Sequence, residues 1–134
     1  MVQMSIVYQG EKHCELTHGP SGQIISTDAP KDNNGRGEAF SPTDLCAVSL
    51  GTCMLTVMAI QAEKENISLH GSSAHVTKDM QAAPRKISRI GVQLNLPAAL
   101  SQEWRQRLEQ VAQTCPVKLS LHPDIVTDIR FHYF

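Results

Sequence analysis

The sequence predicts an α+β fold with mainly antiparallel strand pairing around one buried central helix. Its β-prone segments come in groups before and after a long apolar stretch, and do not alternate one by one with helices. The apolar stretch, Leu45–Ala62, contains no charged side chain, although 19% of the 134 residues are charged. A chain of this length buries enough surface for one core, so we expect a single domain over residues 1–134.

Three short β-prone segments at the N-terminus predict a meander of two or three antiparallel strands. They are Met4–Gln9, Cys14–His18 and Gln23–Thr27, separated by the turn sequences GEK and GPSG. The next stretch, Asp28–Phe40, is rich in Gly, Asn, Asp and Pro. We expect it to form a loop of about thirteen residues, which is long enough to suggest a functional role.

The central helix is predicted over about Pro42–Glu65. Ser41 or Thr43 suits the N-cap position, Asp44 complements the positive end of the helix dipole, and Asn66 is a plausible stop. A helix that is apolar all round has no solvent face, so we expect it to be buried on all sides. A membrane span is the alternative, but Ser, Gly, Thr and Gln dilute the segment and no other segment resembles it.

Two long strands and a closing helical region are predicted in the C-terminal half. The strands are Ser68–Lys78 and Arg85–Leu96, joined by a hairpin loop over Asp79–Pro84, and the apolar spacing from Ile87 to Ile90 indicates a β-bulge. An amphipathic helix over about Ser101–Gln113, a short helix over Val117–Leu121 with Pro116 at its first position and Thr114 or Cys115 at its cap, and a strand over Ile125–Phe134 follow.

Composition excludes several classes of function. The net charge is −1 with both signs mixed along the chain, and only six residues are aromatic, so we expect neither a nucleic-acid partner nor a membrane partner. The N-terminus lacks the basic start and long apolar run of a signal peptide, which favours a cytoplasmic protein with reduced thiols. No paired Cys or His spacing is present, so neither a metal site nor a cofactor is predicted.

The four cysteines differ in their predicted surroundings. Cys46 and Cys53 are seven residues apart on the central helix, about 10 Å along its axis, which is too far for a disulfide. Cys115 precedes Pro116 at a helix start, where backbone N–H groups stabilise a thiolate, so a reactive and an inert thiol fit equally well. For Cys53 taken alone, and for Cys14 and Cys46, buried packing is the favoured interpretation.

Two motifs carry a family resemblance. The sequence SPTDLCAVSLGTC at Ser41–Cys53, followed about sixty residues later by TCPV at Thr114–Val117, resembles the OsmC/Ohr family of osmotically induced and organic hydroperoxide resistance proteins. The order of predicted elements fits that family over essentially the whole chain. The resemblance implies antiparallel sheets packed around the buried central helix and an intertwined homodimer.

The resemblance also implies a two-cysteine peroxidase that needs no cofactor. Cys53 would attack the O–O bond as a thiolate, Cys115 would resolve the sulfenic acid as a disulfide, and a lipoyl-type dithiol would reduce it. Family peroxidases carry a glutamate ten residues before the first cysteine, where this chain has Thr43, and an arginine in the N-terminal strands, where it has none. Arg36 and Glu38 are the nearest candidates for activating Cys53.

We therefore expect a thiol-dependent peroxidase that reduces organic hydroperoxides in oxidative stress defence. One alternative is a protein of the same fold that binds a small apolar ligand without peroxidase activity. The other is a thiol hydrolase with Cys115 as its nucleophile.

Overall fold

The computed structural model describes all residues, 1–134, and its mixture of grouped strands and helices confirms the predicted α+β class. The chain divides into two compact units, residues 1–46 and 47–134, called here the N-terminal and the C-terminal unit. The expectation of a single domain stays a prediction. The elements in chain order are β1 Met4–Tyr8, β2 His13–His18, β3 Ile24–Asp28, a 3₁₀ turn Lys31–Asn33, α1 Pro42–Glu63, β4 Ser73–Ala82, β5 Arg85–Leu96, α2 Gln102–Ala112, α3 Pro116–Ser120 and β6 Val126–Tyr133.

The N-terminal unit is built on the predicted antiparallel meander, in the order β1-β2-β3. Its register places Ile6 opposite Leu16 and Leu16 opposite Ile25, so apolar side chains line up across the three strands. This sheet nevertheless has many exposed apolar residues, with between 45 and 70% of each surface accessible: Met4, Ile6, Val7, Tyr8, Ile24 and Ile25.

Helix α1 begins with a reciprocal cap. Ser41 Oγ accepts the backbone N–H of Asp44, and the Asp44 carboxylate accepts the backbone N–H of Ser41. Of the two predicted caps, Ser41 is therefore the one the helix uses. The helix ends at Glu63, two residues before the predicted end, and Asn66 follows in the left-handed region with φ of 58°.

The burial of α1 is confined to one face of the helix. The buried residues are Ala47, Leu50, Gly51, Met54, Met58 and Ala62, whereas Ile60 is 54% exposed. By length and hydropathy α1 could cross a membrane, and one third (33%) of its most apolar window is buried. Burial on all sides of this helix stays a prediction.

Gly51 brings the backbone of α1 close to the sheet of the C-terminal unit. A Cβ at this position would lie 2.8 Å from Cγ2 of Val76 and 3.4 Å from Cβ of Ala74. The core beneath the helix comes from β5 and from one face of α2, and each of its side chains is at most 2% exposed. The residues of β5 are Ile90, Val92, Leu94 and Leu96, and those of α2 are Leu108 and Ala112.

The hairpin β4–β5 differs from the prediction at one strand and agrees at the other. β5 has the predicted bounds, but β4 begins at Ser73 and runs to Ala82, so the predicted start at Ser68 and the predicted loop over Asp79–Pro84 are wrong. The turn is shorter because the strands keep pairing as far as Ala82 opposite Arg85. The predicted bulge is confirmed, since Asp79 pairs with Arg89 and Met80 with Ile87, which leaves Ser88 unpaired.

The last strand, β6, pairs with β5 in parallel. Three of the four strand pairings are antiparallel, so the expectation of antiparallel sheets is wrong for this pair. The reason is the connection between the two strands, which contains α2 and α3. A crossover of this length can bring the chain back to the start of β5, whereas a short turn can only reverse its direction. Ser101 caps α2, and Cys115, one of the two predicted candidates, caps α3.

Candidate active site

Two thiols from distant parts of the sequence meet in the C-terminal unit. Cys53 lies in the middle of α1, and Cys115 is the N-cap residue of α3. The two side chains are close enough for Cys53 to raise the pKa of Cys115, and neither cysteine forms a disulfide. Cys115 is fully buried, whereas Cys53 keeps part of its surface accessible. The pair thus consists of one thiol that solvent reaches and one that it does not.

The local sequence around Cys115 explains its fixed position. Pro116 takes the first position of α3, where its missing N–H costs nothing, and it restrains Cys115 to an extended backbone with ψ of 137°. In this conformation the Sγ atom accepts the backbone N–H of Lys118 at 3.3 Å. The sulfur therefore stands in for the Ser, Thr or Asp oxygen that usually caps a helix.

The pKa of Cys115 is raised above its ordinary value of 9.0. Burial is the largest cause, and the hydrogen bond with Cys53 and the charge of Cys53 act in the same direction. The N–H of Lys118 lowers the pKa, but by less than burial raises it. Of the two interpretations left open for Cys115, a reactive and an inert thiol, the raised pKa favours the protonated, less reactive thiol, because desolvation outweighs the donors.

A cluster of polar side chains, the Asp28 cluster, organises the N-terminal unit. The Asp28 carboxylate is 2% exposed and lies 2.6 Å from Nδ1 of His13 and 3.4 Å from Nη2 of Arg36, and it accepts the backbone N–H of Glu38 at 3.1 Å. The pKa of Asp28 is lowered, first by the hydrogen bond with His13 and then, against the opposing effect of burial, by the charge of Arg36.

The two predicted activating residues both belong to this cluster. Arg36 bridges Asp28 and Glu11, each at 3.4 Å, and Glu38 takes part through its backbone. Sequence analysis missed His13 and Asp28. The register of the first hairpins would have revealed them, because His13 and Asp28 are direct cross-strand partners of β2 and β3. Arg36 and Glu38 lie in the N-terminal unit and the thiol pair in the C-terminal unit.

The other two cysteines have unremarkable positions. Cys14 pairs across the sheet with Tyr8 and Thr27, and Cys46 lies near the start of α1; both are half-buried and neither forms a disulfide. No three His, Cys, Asp or Glu side chains converge as a potential metal site.

A cavity of about 590 Å³ opens beside the C-terminal half of α1. Its wall combines apolar side chains, among them Leu55, Ala59 and Ile67, with polar ones. Among the polar ones is Ser72, whose Oγ is buried without a hydrogen-bond partner. The volume falls in the range typical of small-ligand sites.

Comparison with known proteins gives a consistent family. A family profile described as OsmC-like protein matches residues 35–130. The crystal structure of an osmotic stress induced and detoxification response protein from Psychrobacter arcticus is similar with 42% identity and a TM-score of 0.94, over 98% of this chain and 96% of that one. The comparison with curated proteins gave no match.

More distant structures share the fold. An organic hydroperoxide resistance protein OsmC from Legionella pneumophila is 19% identical with a TM-score of 0.73, over 98% of this chain and 96% of its own. An organic hydroperoxide resistance protein from Elizabethkingia anophelis, with thiocyanate bound, is 14% identical with a TM-score of 0.78, over 100% and 96%.

Proposed function

Because this chain belongs to the OsmC-like protein family, we propose that it is a thiol-dependent peroxidase that reduces organic hydroperoxides and contributes to oxidative stress defence. The observation that carries the proposal is the pair of free cysteines, Cys53 and Cys115, which the C-terminal unit brings close enough to interact. Two family relatives of the same fold are named for organic hydroperoxide resistance, which supports the choice of substrate class.

The proposed cycle has three steps. The Cys53 thiolate attacks one oxygen of the hydroperoxide, so that an S–O bond forms, the O–O bond breaks, and the alkoxide leaves as the alcohol after taking a proton. Cys115 then attacks the sulfenic sulfur, so that an S–S bond forms and water leaves with the proton of the Cys115 thiol. A lipoyl-type dithiol restores both thiols by exchange and becomes a disulfide itself.

The assignment of roles within the pair follows from exposure and acidity. Substrate can approach Cys53, which is partly exposed, more easily than Cys115, which is fully buried. Burial also raises the pKa of Cys115, which disfavours the thiolate that a first nucleophile needs. These facts argue against the alternative of a thiol hydrolase that uses Cys115 as its nucleophile.

Arg36 and Glu38 remain the proposed candidates for activating Cys53. Arg36 is the only arginine among residues 1–46, and the buried carboxylate of Asp28 orients its guanidinium. Replacement of Arg36 by Gln should slow the first oxidation of Cys53 while leaving resolution by Cys115 intact. An unchanged rate would remove Arg36 from the site.

We propose further that the protein is an intertwined homodimer and works in the cytoplasm, where dithiol reductants keep its cysteines reduced. The exposed apolar residues of β1–β3 and the partly exposed faces of α1 support a second copy as their cover. Sedimentation equilibrium should give twice the mass of the 14.7 kDa chain, and Ile6→Lys should shift the mass toward the monomer. A wild-type monomer at micromolar concentration would contradict the dimer.

The peroxidase is tested by following the consumption of cumene hydroperoxide with dihydrolipoamide as reductant. Cys53→Ser should abolish turnover, and Cys115→Ser should allow at most one equivalent to react before turnover stops. Cys46→Ser, which removes a thiol from the same helix, is the matched control and should keep wild-type turnover. Wild-type turnover by Cys53→Ser would overturn the assignment.

The alternative of a small-ligand-binding protein draws its support from the cavity of about 590 Å³ beside α1. It makes the opposite prediction for thiol chemistry. After one equivalent of cumene hydroperoxide, a peroxidase loses the two thiols of the pair, whereas a binding protein keeps all four free thiols.

A further inference from the structure

We propose that the outer face of the C-terminal sheet carries a binding site for a small carboxylate, built around Gly91 and separate from the thiol pair. The site is a pit of about 220 Å³. Its walls are polar, and all of them belong to the C-terminal unit. The side chains that form these walls are His75, Thr77, Arg89, Gln93, Asp128 and Arg130.

Strand alternation places the pit on the face of the sheet that is opposite to the core. Val76 of β4 packs close to Gly51 of α1, so its neighbour Thr77 points to the other face, where it is exposed. The register then brings one residue of each strand into a row, because Thr77 lies opposite Gly91 and Gly91 opposite Asp128. The pit therefore lies over the middle strand of the sheet and opens to solvent.

Gly91 provides the space for the pit. It lies inside the central strand β5, where a glycine weakens the sheet and often marks the close approach of a ligand. Its φ is not in the left-handed region, which Gly71 adopts, so the backbone conformation does not require a glycine. A Cβ on Gly91 would lie 2.5 Å from Oγ1 of Thr77 and 3.8 Å from Nη1 of Arg89. The missing side chain thus leaves room between a hydroxyl and a guanidinium.

The lining of the pit carries one positive charge, since it contains two arginines and one aspartate. Arg130 donates from Nε and Nη2 to the two oxygens of Asp128 at 3.2 and 3.1 Å, and Arg89 donates from Nη2 to the same carboxylate. Asp79 contacts Arg89 at 3.4 Å, but it lies outside the pit and is 61% exposed, so solvent screens its charge. A ligand with one negative charge therefore matches the pit.

The pit also has hydrogen-bond donors that the chain does not use. A guanidinium has five N–H donors, and the carboxylates take two from Arg89 and two from Arg130, which leaves three on each. The Thr77 hydroxyl and the His75 ring have no hydrogen-bond partner in the chain. Because Asp128 already orients the two guanidiniums, they lose little freedom when a ligand binds. Such donors suit a carboxylate, whose two oxygens accept paired hydrogen bonds from arginine.

The site is tested by titrating the isotope-labelled full-length protein with sodium acetate and following the backbone amide resonances. Sodium chloride keeps the ionic strength constant, so that a general effect of salt is cancelled. The shifts should saturate and should be largest at Thr77, Gly91 and Asp128, which lie side by side on the three strands. Shifts that do not saturate, or that spread evenly over the surface, would overturn the site.

Two variants and a control connect the binding to the pit. Gly91→Ala should abolish acetate binding, because its Cβ occupies the space. Arg130→Gln should weaken binding about tenfold, because a charged hydrogen-bond donor is lost. Arg107→Gln removes the same charge from α2, where Arg107 lies 4.4 Å from the ring centre of Trp104, and should leave the affinity unchanged.

Equal affinities for wild type and Arg130→Gln would overturn the inference, even if Gly91→Ala failed to fold. Circular dichroism and thermal unfolding show whether each variant keeps the native structure. None of these measurements involves Cys53 or Cys115, so their outcome is separate from that of the proposed peroxidase.

The charge of the ligand is tested with methyl phosphate. At about pH 7.5 it is mostly a dianion, since the second pKa of a phosphate monoester is about 6. The Asp128 carboxylate opposes the second charge, so methyl phosphate should bind more weakly than acetate at the same ionic strength. Tighter binding of methyl phosphate than of acetate would overturn the assignment of a carboxylate ligand.

Discussion

The two compact units bury opposite kinds of side chains. Every buried polar or charged residue lies in the N-terminal unit: Thr27, Asp28 and Ser41. Every buried hydrophobic residue, from Ala47 to Cys115, lies in the C-terminal unit. The N-terminal unit is thus held by strand pairing and by hydrogen bonds to a buried carboxylate, and the C-terminal unit by apolar packing of α1 on its sheet.

The contrast between Asp28 and Cys115 shows what decides whether a buried acid keeps its proton. Burial alone raises the pKa of both Asp28 and Cys115, since it disfavours the charged form. Around Asp28 the hydrogen bond of His13 and the charge of Arg36 reverse that effect, and the pKa is lowered. Around Cys115 the backbone N–H groups of Lys118 and Val117 do not reverse it, and Cys53 adds to the rise of the pKa. The donors around each acid, more than its depth of burial, therefore decide that the pKa of Asp28 is lowered and the pKa of Cys115 is raised.

The largest expected effect comes from the apolar core. Leu50 is 0% exposed, and Leu50→Ala should lower the free energy of unfolding by about 3 kcal/mol because it leaves a cavity beneath α1. Leu119 is 73% exposed, and Leu119→Ala, the matched control, should change it by less than about 0.5 kcal/mol. Urea unfolding followed by circular dichroism measures both. Similar losses for the two variants would contradict a core confined to the face of α1 that carries Leu50.

A smaller effect on stability is expected from the buried carboxylate of Asp28, and this effect depends on pH. The folded pKa of Asp28 is lowered, so the stability it contributes is present above its ordinary value of 3.8 and is lost as the pH falls through the folded value. Asp28→Asn should therefore be less stable than wild type at about pH 7, and the gap should be smaller at about pH 3.

Urea midpoints at the two pH values measure this gap. Asp124→Asn removes a carboxylate whose side chain is 68% exposed and should show no comparable gap. A gap for Asp28→Asn that stays constant down to about pH 3 would mean that the charge of Asp28 does not stabilise the fold.

The smallest expected effect on stability comes from Cys115 at alkaline pH, where stability decreases as the pH rises. The folded pKa of Cys115 is raised, so its contribution is intact below 9.0 and is lost as the pH rises through the folded value. Wild type should lose unfolding free energy above that pH, and Cys115→Ser should lose less because serine does not ionise there. Urea unfolding between about pH 8 and about pH 10 measures the difference. Parallel declines would show that burial does not hold the proton on Cys115.

How much the sequence could predict depended on the range of each interaction. The bounds of β5 were predicted to the residue, because Pro84 and Pro97 limit the segment and its alternation is interrupted only at the predicted bulge. Alternation also suggested a strand from Ser68, but Gly71, with φ of 87°, turns the chain and delays β4 to Ser73. The parallel direction of β6 was missed because alternation carries no information on the direction of a neighbour.

The candidate site shows the same limit. The cap of α3 was predicted to be Thr114 or Cys115, and the structure uses Cys115; the prediction was possible because a cap depends on adjacent residues. The contact of His13 with Asp28 was missed because it depends on strand register, fifteen residues apart in sequence. Periodicity alone could not pair Cys53 with Cys115, which lie on separate helices; that pairing came from the family resemblance, whose family assignment the comparisons confirm.

The parallel position of β6 has a consequence for synthesis. The ribosome makes the hairpin β4–β5 first. Ile90, Val92 and Leu94 have no partners on the other side of β5 until α2, α3 and β6 have emerged. During that interval one edge of β5 has no partner and can pair with another nascent chain. We expect chaperone dependence to be concentrated in this interval, and a chain truncated after Asp124 to aggregate where the released 134-residue chain folds.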